Sequence, residues 1–174
     1  MMKTAIWLAG SICLLTALSA QAQMSAGVAI GQLDDDSSGF DRNLKMAELN
    51  LGYTYNIGKS RFYLTPQLRL GTGISDNNFK LAEQQYTLEL DSYVGASLRL
   101  SVDFSDKFSV MVQPTYAKAD TTLSTSQAEV EQGDWEFGYG AGIEYRPTLQ
   151  WQWELLGETY DDQTLYSVGL RYFF

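Results

Sequence analysis

Apolar and polar side chains alternate with a period of two along most of this chain, and this pattern constrains the fold more than any other feature. The last eleven residues show the alternation best. One face holds Thr164, Tyr166, Val168, Leu170, Tyr172 and Phe174, and the other holds Leu165, Ser167, Gly169, Arg171 and Phe173. Successive side chains of a β-strand point to opposite faces. The segment is therefore predicted to be a strand with one apolar and one mainly polar face.

The same alternation predicts eight strands, near residues 24–32, 46–56, 62–73, 87–104, 108–119, 135–146, 149–160 and 164–174. Most of them are long enough to cross a bilayer when tilted, which takes roughly 9–11 residues. The short connections are 56–61, 105–107, 146–149 and 161–163, and the longer, polar ones are 33–45, 74–86 and 120–134. Short turns at one rim and longer loops at the other are typical of an all-β, antiparallel, up-and-down outer-membrane barrel. Both termini are then expected to face the periplasm.

Charge indicates which face of such a barrel meets lipid. The apolar face of the predicted strands carries only Lys118, which is near a strand end where its amine can reach the interface. The polar face carries the acids Glu48, Glu89, Asp91, Asp103, Glu136, Glu144, Glu154 and Glu158, and the bases Arg69, Arg99, Arg146 and Arg171. A charge facing lipid at the bilayer midplane costs about 2–4 kcal/mol. The apolar face is therefore predicted to be the outside.

Glycines and aromatic residues sort in the same way. The polar face holds Gly27, Gly31, Gly52, Gly71, Gly73, Gly95, Gly138, Gly140, Gly142 and Gly169, which suits the cramped interior of an eight-stranded barrel. Aromatic residues of the apolar face at the short-turn ends are Tyr53, Tyr55, Phe62, Phe104, Phe108, Tyr145, Trp151, Trp153, Tyr172 and Phe174, and those at the other ends are Tyr116, Trp135, Phe137 and Tyr166. Tyr and Trp favour both membrane–water interfaces, so two aromatic girdles are predicted. A soluble lipocalin-like barrel would turn its apolar face inward and is disfavoured.

The first 22 residues have the composition of a secretory signal peptide. Lys3 supplies the positive start, residues 5–18 form an apolar run, and Ala20-Gln21-Ala22 gives a small-x-small cleavage site before Gln23. The run is too short to span ~30 Å of hydrocarbon as an anchor helix. The predicted organisation is a signal peptide over 1–22 and a barrel domain over 23–174.

Two segments resemble a known family. The stretch 135–148, WEFGYGAGIEYRPT, resembles the penultimate hairpin of small bacterial outer-membrane proteins, in which a Gly-x-Gly-x-Gly-x-x-Tyr strand precedes a tight turn. The ending VGLRYFF resembles their terminal strand, which finishes on an aromatic residue. The mature chain thus resembles the eight-stranded barrels of the opacity, OmpX and OmpA type. The resemblance implies that barrel-assembly machinery recognises the terminal Phe174 during insertion.

Composition argues against several other functions. The formal net charge of −9 disfavours a nucleic-acid binder, which needs a basic face. The absence of histidine excludes a Ser-His-Asp triad and any His-ligated metal, and the enzymes among barrels that resemble this one rely on histidine. We expect no catalytic residue, no cofactor and no metal site. Asp34, Asp35, Asp36 and Asp41 offer oxygen ligands for Ca²⁺, but their spacing is not that of an EF-hand, and solvated loop charge explains them.

The lumen charges are expected to pair into a network that plugs the barrel, because buried charges need partners and eight strands leave width only for side chains. The predicted network is Glu48, Arg69, Glu89, Arg99, Glu136, Glu144, Arg146, Glu154, Glu158 and Arg171. A tight turn at 161–164 would pair residues whose numbers sum to about 325, which places Glu154 opposite Arg171. Pro66 and Pro114 lie inside predicted strands, so each predicts a bulge or a local break.

The sequence therefore predicts a monomeric protein of the Gram-negative outer membrane with a structural, envelope-integrity or surface-interaction role. Its expected surroundings are outer-membrane lipids and lipopolysaccharide, with whose phosphates the acidic loops could share divalent cations. The alternative is a narrow porin-like channel for small solutes or ions, with a preference for cations because lumen acids outnumber bases. A soluble periplasmic binding barrel is the third hypothesis.

Overall fold

The computed structural model describes residues 22–35, 42–58, 60–81, 84–124, 129–161 and 163–174. They form ten strands: β1 (Ala22–Asp35), β2 (Arg42–Asn56), β3 (Phe62–Ser75), β4 (Asn77–Leu81), β5 (Gln84–Asp103), β6 (Phe108–Ser124), β7 (Glu129–Gln132), β8 (Trp135–Tyr145), β9 (Trp151–Thr159) and β10 (Gln163–Phe173). In this part of the chain, no helix is long and apolar enough to cross a membrane. The predicted signal peptide lies outside the described residues except for Ala22, which begins β1, so its cleavage stays a prediction.

Eight of these strands close into an antiparallel barrel. Each strand pairs with its neighbour in the order β1, β2, β3, β5, β6, β8, β9 and β10, and β10 pairs back onto β1. The first and last strands are joined over a ladder that runs from Ser25 opposite Phe173 to Asp35 opposite Gln163. The predicted fold class and all eight predicted strands are confirmed.

The two remaining strands extend the sheet beyond the barrel rim. β4 pairs with the start of β5, and β7 pairs with the end of β6. Both lie in the segments 74–86 and 120–134, for which the sequence predicted plain loops. That prediction was wrong because the composition of these segments is polar, and polar strands in solvent lack the apolar alternation that reveals a strand in lipid.

The two faces of the wall divide as the alternation predicts. Leu68 on β3 points outward and is 63% exposed, whereas its neighbour Arg69 points into the lumen and is 1% exposed. Large apolar side chains such as Val28, Ile30 and Val168 are also exposed on the outside. So much exposed apolar surface is expected only where lipid covers it.

The short turns after β2, β5 and β8 lie at one end of the barrel, which we call the short-turn end. The longer connections lie at the other, the loop end, together with the short β9–β10 turn. At the short-turn end, Gly58 has φ of 64°, a left-handed conformation that glycine adopts without strain. This conformation lets the β2–β3 turn close with a hydrogen bond from the Ile57 amide to the Phe62 carbonyl at 2.9 Å.

Each of the two strand prolines interrupts one ladder. In the β2–β3 ladder, the pairs 53 with 66 and 54 with 65 are missing, and the pairing continues in the same register on both sides of this gap. In the β5–β6 ladder, the pairs 98 with 114 and 99 with 113 are missing in the same way. The cause is that proline has no N–H to donate. On their other sides the prolines are paired, Pro66 with Leu98 and Pro114 with Tyr139. The predicted local break is confirmed, and neither proline causes a bulge.

The register of the last hairpin differs from the predicted one. Glu154 lies opposite Gly169, and Gln152 lies opposite Arg171, so the pairing is displaced by two residues. The turn is centred earlier than predicted, because Thr159 pairs with Thr164 and the Tyr160 amide donates to the Gln163 carbonyl at 2.8 Å. A displacement of two residues keeps every side chain on its predicted face.

Candidate functional site in the barrel lumen

The part of the lumen nearer the short-turn end is filled by buried charged side chains, which we call the charge network. Its members are Arg69, Arg99, Arg171, Glu48, Glu144, Glu154 and Glu158, all of them buried. They come from β2, β3, β5, β8, β9 and β10, so the network connects most of the wall across the lumen.

Arg69 joins two carboxylates from different strands. Its Nε and Nη2 donate to Glu48 Oε1 and Oε2 at 2.9 and 2.7 Å, which is a bidentate pair. Its Nη1 donates to Glu158 Oε1 at 2.7 Å from across the barrel. One guanidinium therefore ties β3 to both β2 and β9.

Glu154 is shared by the other two arginines. Its Oε1 accepts from Arg171 Nε at 2.6 Å and from Arg99 Nη1 at 2.6 Å. Arg99 also reaches Glu144 at 3.2 Å. The expected contact between Glu154 and Arg171 is present, but it runs diagonally because of the register displacement.

Neutral amides connect these two groups of charges. Gln113 Oε1 accepts from Arg99 Nε at 2.9 Å and from Gln67 Nε2 at 2.8 Å, and Gln113 Nε2 donates to Glu158 at 3.1 Å. Gln67 Oε1 accepts from Arg171 Nη2 at 2.8 Å. The network is therefore continuous, and each buried guanidinium has at least two acceptors, as an ion in a low-dielectric interior requires.

Of the remaining predicted network residues, Arg146 lies at the edge of the network, and Glu136 and Glu89 lie elsewhere. Arg146 is half-buried at the short-turn end, where its guanidinium donates to Gln152 at 2.7 Å and lies 4.8 Å from the centre of the Phe173 ring. Gln152 Nε2 donates in turn to Glu154 at 3.0 Å, so this amide connects Arg146 to the charge network. Glu136 is half-buried near the loop end. Glu89 is not part of the network, so that prediction was wrong.

The physical reason for the misplacement of Glu89 is a β-bulge. The β5–β6 register shifts between Leu90 and Ser92, so Asp91 is the extra residue. The inward and outward positions of β5 therefore exchange at this point. Leu88 and Leu90 are buried in the lumen instead of Glu89, and Asp91 is also outside the network, where its carboxylate accepts from Thr122 Oγ1 at 2.6 Å.

The part of the lumen nearer the loop end is apolar, although the predicted lumen was lined by charged and small side chains. We call it the apolar cluster; it comprises Leu33, Leu44, Met46, Leu88, Leu90, Tyr93, Ala117, Tyr160 and Leu165. Leu33 and Leu44 fall in the segment 33–45, for which the sequence predicts a polar loop. Leu88 and Leu90 alternate with Glu89 and Asp91, so the predicted alternation places them on the lipid face. The sequence did contain signals that apolar side chains enter the lumen, because the alternation places Met46 on the face of Glu48, Tyr160 on that of Glu158, and Leu165 on that of Arg171.

Two tyrosines mark the boundary between the charge network and the apolar cluster. The hydroxyls of Tyr93 and Tyr160 are 2.9 Å apart and hydrogen-bonded. The guanidinium of Arg69 lies 5.3 Å from the centre of the Tyr93 ring. Both tyrosine rings pack with the apolar cluster. The ring of Tyr93 also faces Arg69, a cation of the charge network.

Two small cavities lie in the lumen among the residues that the structure describes. A cavity of about 30 Å³ lies at the loop end among Tyr93, Tyr160, Glu136 and Gln163. Another of about 10 Å³ lies at the short-turn end beside Arg99 and Arg146. Each volume suits one or two water molecules, and the charge network lies between them.

The predicted girdle aromatics lie on the outer surface near the strand ends. At the short-turn end, Phe108 and Tyr145 pack with ring centres 4.8 Å apart, and Trp151 and Tyr172 with ring centres 4.9 Å apart. At the loop end, Tyr116 stacks on Trp135 at 5.0 Å. The terminal Phe174 is exposed, and its amide donates to the Met24 carbonyl at 3.0 Å.

Of the four aspartates considered as Ca²⁺ ligands, Asp36 and Asp41 lie outside the described residues. Among the residues that are described, no three Asp, Glu, Cys or His side chains are grouped so that they could hold a metal ion.

Comparison with known sequences gives one clear family. The sequence model described as "Outer membrane protein beta-barrel domain" matches residues 5–174. No curated protein matches the chain.

Solved structures of low sequence identity share the fold. The chain is similar to Ail, the attachment invasion locus protein of Yersinia pestis, with 16% identity, a TM-score of 0.60, and coverage of 88% of this chain and 97% of that one. It is also similar to Neisserial surface protein A, with 13% identity, a TM-score of 0.57 and coverage of 88% and 97%. The N-terminal β-barrel domain of Pseudomonas aeruginosa OprF gives 16% identity, a TM-score of 0.52 and coverage of 88% and 100%.

Proposed function

Since this chain belongs to the outer membrane protein beta-barrel domain family, we propose that it serves as a closed structural barrel that supports envelope integrity or surface contact. In this proposal the lumen is plugged and is neither a solute pathway nor a catalytic site. The observation that carries the proposal is that the charge network and the apolar cluster follow one another along the lumen, with small cavities of about 30 and 10 Å³ beside them among the described residues.

The arrangement of the lumen carboxylates supports a role without catalysis. Glu154 accepts hydrogen bonds from two arginines, and Glu48 and Glu158 share a third. A general acid or base must reach a substrate proton, but these groups are buried and engaged with cations. Their arrangement suits fixing the strands relative to one another.

Conductance across a planar bilayer tests the proposal. The purified barrel is expected to give no steady single-channel current above the leak of the lipid alone, because hydrated ions are wider than the lumen cavities. A reproducible, cation-selective current would instead favour the alternative of a narrow channel. A variant that opens the lumen, Arg69→Ala with Leu165→Ala, serves as the positive control, since it removes one large side chain from each lumen layer.

We place the short-turn end and both termini in the periplasm. The short turns carry Arg61 and Lys107, whereas the loop end carries many carboxylates, among them Asp76 and Glu131. Basic turns suit the phosphates of inner-leaflet phospholipids. Single cysteines at Ser105 and at Ser75 in intact cells test the orientation: an impermeant thiol reagent should label position 75 only, and labelling of position 105 alone would reverse it.

The partners we propose are those of an inserted monomer: outer-membrane lipids, lipopolysaccharide around the loop-end girdle, and assembly machinery that recognises Phe174. Thermal stability in lipopolysaccharide-containing vesicles should rise on addition of Mg²⁺ if acidic loops share cations with lipid phosphates. An equal response in phosphatidylcholine vesicles would contradict this part of the proposal. Deletion of Phe174 should slow insertion in cells while leaving refolding in detergent unchanged.

A further inference from the structure

The hairpin made by β3, β4 and β5 is attached to the rest of the barrel in an unusual way. We call the two strands β3 (Phe62–Ser75) and β5 (Gln84–Asp103) together the panel. Its two long strands are joined by an uninterrupted ladder from Phe62 opposite Val102 to Gly71 opposite Tyr93. The panel is thus a continuous unit, and its two outer seams are β2–β3 and β5–β6.

Both outer seams are interrupted twice. Pro66 removes a ladder bond from β2–β3, and the register of that seam shifts between Lys45 and Met46. Pro114 removes a ladder bond from β5–β6, and that register shifts between Leu90 and Ser92. Each seam therefore has a proline gap toward the short-turn end and a bulge toward the loop end.

The remaining seams provide the contrast. Over the described residues, the ladders β1–β2, β1–β10, β6–β8, β8–β9 and β9–β10 run without a register shift or an internal gap. The β1–β2 ladder, for example, runs unbroken from Ala22 opposite Tyr55 to Asp35 opposite Arg42. The interruptions are therefore confined to the two edges of one hairpin.

Lumen side chains bridge each proline gap at the position where the ladder pair is missing. In β2–β3, the hydroxyls of Thr54 and Thr65 are hydrogen-bonded at 2.9 Å. In β5–β6, Arg99 Nε donates to Gln113 Oε1 at 2.9 Å. Side-chain bonds on the inside thus take the place of the backbone bonds that the prolines remove from the wall.

The charge network is divided between the panel and the other strands. Of its seven members, the panel carries two arginines, Arg69 and Arg99, and no carboxylate. Their carboxylate partners Glu48, Glu144, Glu154 and Glu158 lie on β2, β8 and β9. Attraction between these charges draws the panel toward the rest of the barrel from inside.

From these observations we propose that the panel is a separable section of the barrel wall, which opens first along its two interrupted seams and is held shut by the charge network. This goes beyond the proposed structural role, because it gives the lumen charges a second task as a latch. An opening of either seam would connect the lumen sideways with the lipid, without unfolding the other six strands.

Amide hydrogen exchange of the folded barrel in lipid nanodiscs tests the proposal directly. Each opening of a seam exposes the amides that bond across it. Loss of one ladder bond on each seam corresponds to exchange about tenfold faster than on an intact seam at similar depth. We expect this excess for amides bonded across β2–β3 and β5–β6, with β3–β5 and β1–β2 as internal references. Equal rates on all four ladders would overturn the proposal.

A set of proline variants tests whether the missing ladder bonds, and not a general flexibility of the barrel, cause the faster exchange at the two seams. Pro66→Val and Pro114→Val each restore an N–H at an outward-facing position, so each should slow exchange on its own seam about tenfold and leave the other seam unchanged. Pro147→Val, in the turn between β8 and β9, is the matched control and should change neither seam. The proposal fails if Pro66→Val and Pro114→Val leave the seam rates as they were.

The latch is tested by weakening it without touching the prolines. Glu144→Gln removes the negative charge that faces Arg99 from β8 while keeping the shape of the side chain. Exchange should accelerate on β5–β6 more than on β1–β10. As a second readout, the disulfide of Thr54→Cys with Thr65→Cys should suppress exchange across β2–β3. Uniform acceleration by Glu144→Gln would contradict the latch, and no protection by the disulfide would contradict the opening of the β2–β3 seam.

Discussion

The two parts of the lumen achieve the same closure by different physical means. The charge network fills its part with arginines and glutamates that need specific partners, such as Arg171 and Glu154 at 2.6 Å. The apolar cluster fills the other part with leucines and a methionine that need only matching volume. Removing one partner of a buried ion pair leaves an uncompensated charge, whereas truncating a leucine leaves a cavity. One lumen can therefore combine a layer that fixes the register of the strands, the charge network, with a layer that tolerates substitution, the apolar cluster.

The largest effect is expected in the charge network at Glu154. Glu154→Ala leaves Arg99 and Arg171 without their shared acceptor, and we expect a loss of about 3–5 kcal/mol in the free energy of unfolding. Urea unfolding in lipid vesicles, followed by the gel mobility of unheated samples, measures the change. Glu131→Ala, at an exposed position of β7, is the control and should cost little. A loss for Glu154→Ala no larger than for the control would remove the contrast between the two layers.

A smaller loss is expected in the apolar cluster. Leu165 is fully buried, and Leu165→Ala should cost about 2–4 kcal/mol through lost burial and the cavity that remains. Leu165→Met should cost less than about 1.5 kcal/mol, because it conserves volume. The same unfolding assay applies, with the exposed Leu149→Ala as the control. If Leu165→Met is as damaging as Leu165→Ala, the cluster is not the tolerant layer that we infer.

The boundary between the layers should show the smallest effect. Tyr160→Phe removes the hydroxyl that is hydrogen-bonded to Tyr93, and we expect a loss of about 1 kcal/mol. A double-mutant cycle with Tyr93→Phe isolates the pair, since the double variant should lose less than the sum of the two single losses. Tyr166→Phe on the lipid face is the control. Strict additivity of the two losses would mean that this hydrogen bond does not join the layers.

The sequence predicted most of the wall because lipid imposes a strict rule on each outward position. Every barrel strand was recovered, and Arg69, Arg99 and Arg171 were assigned to the lumen, because a charge on the lipid face is costly. The register of the last hairpin was wrong by two residues, since neighbouring turn centres satisfy the same alternation.

The apolar cluster was not predictable by the same rule. Inside the barrel, leucine and glutamate are both acceptable at a given position when their neighbours suit them. The alternation of apolar and polar residues therefore does not predict which residue type points inward. The bulge at Asp91 adds a second obstacle, because one extra residue exchanges the faces of β5 and places Leu88 and Leu90 inside. Composition does not reveal such a bulge.

Thiol labelling of two neighbouring positions tests the central claim, a filled lumen inside an apolar wall, most directly. Ser97 is buried in the lumen and its neighbour Ala96 is exposed on the outer face. In vesicles, cysteine at position 96 should react with a lipid-soluble maleimide and not with a charged, water-soluble one. Cysteine at position 97 should react with neither until the barrel is unfolded. Labelling of position 97 in the folded barrel by the water-soluble reagent would show an open lumen and contradict the account.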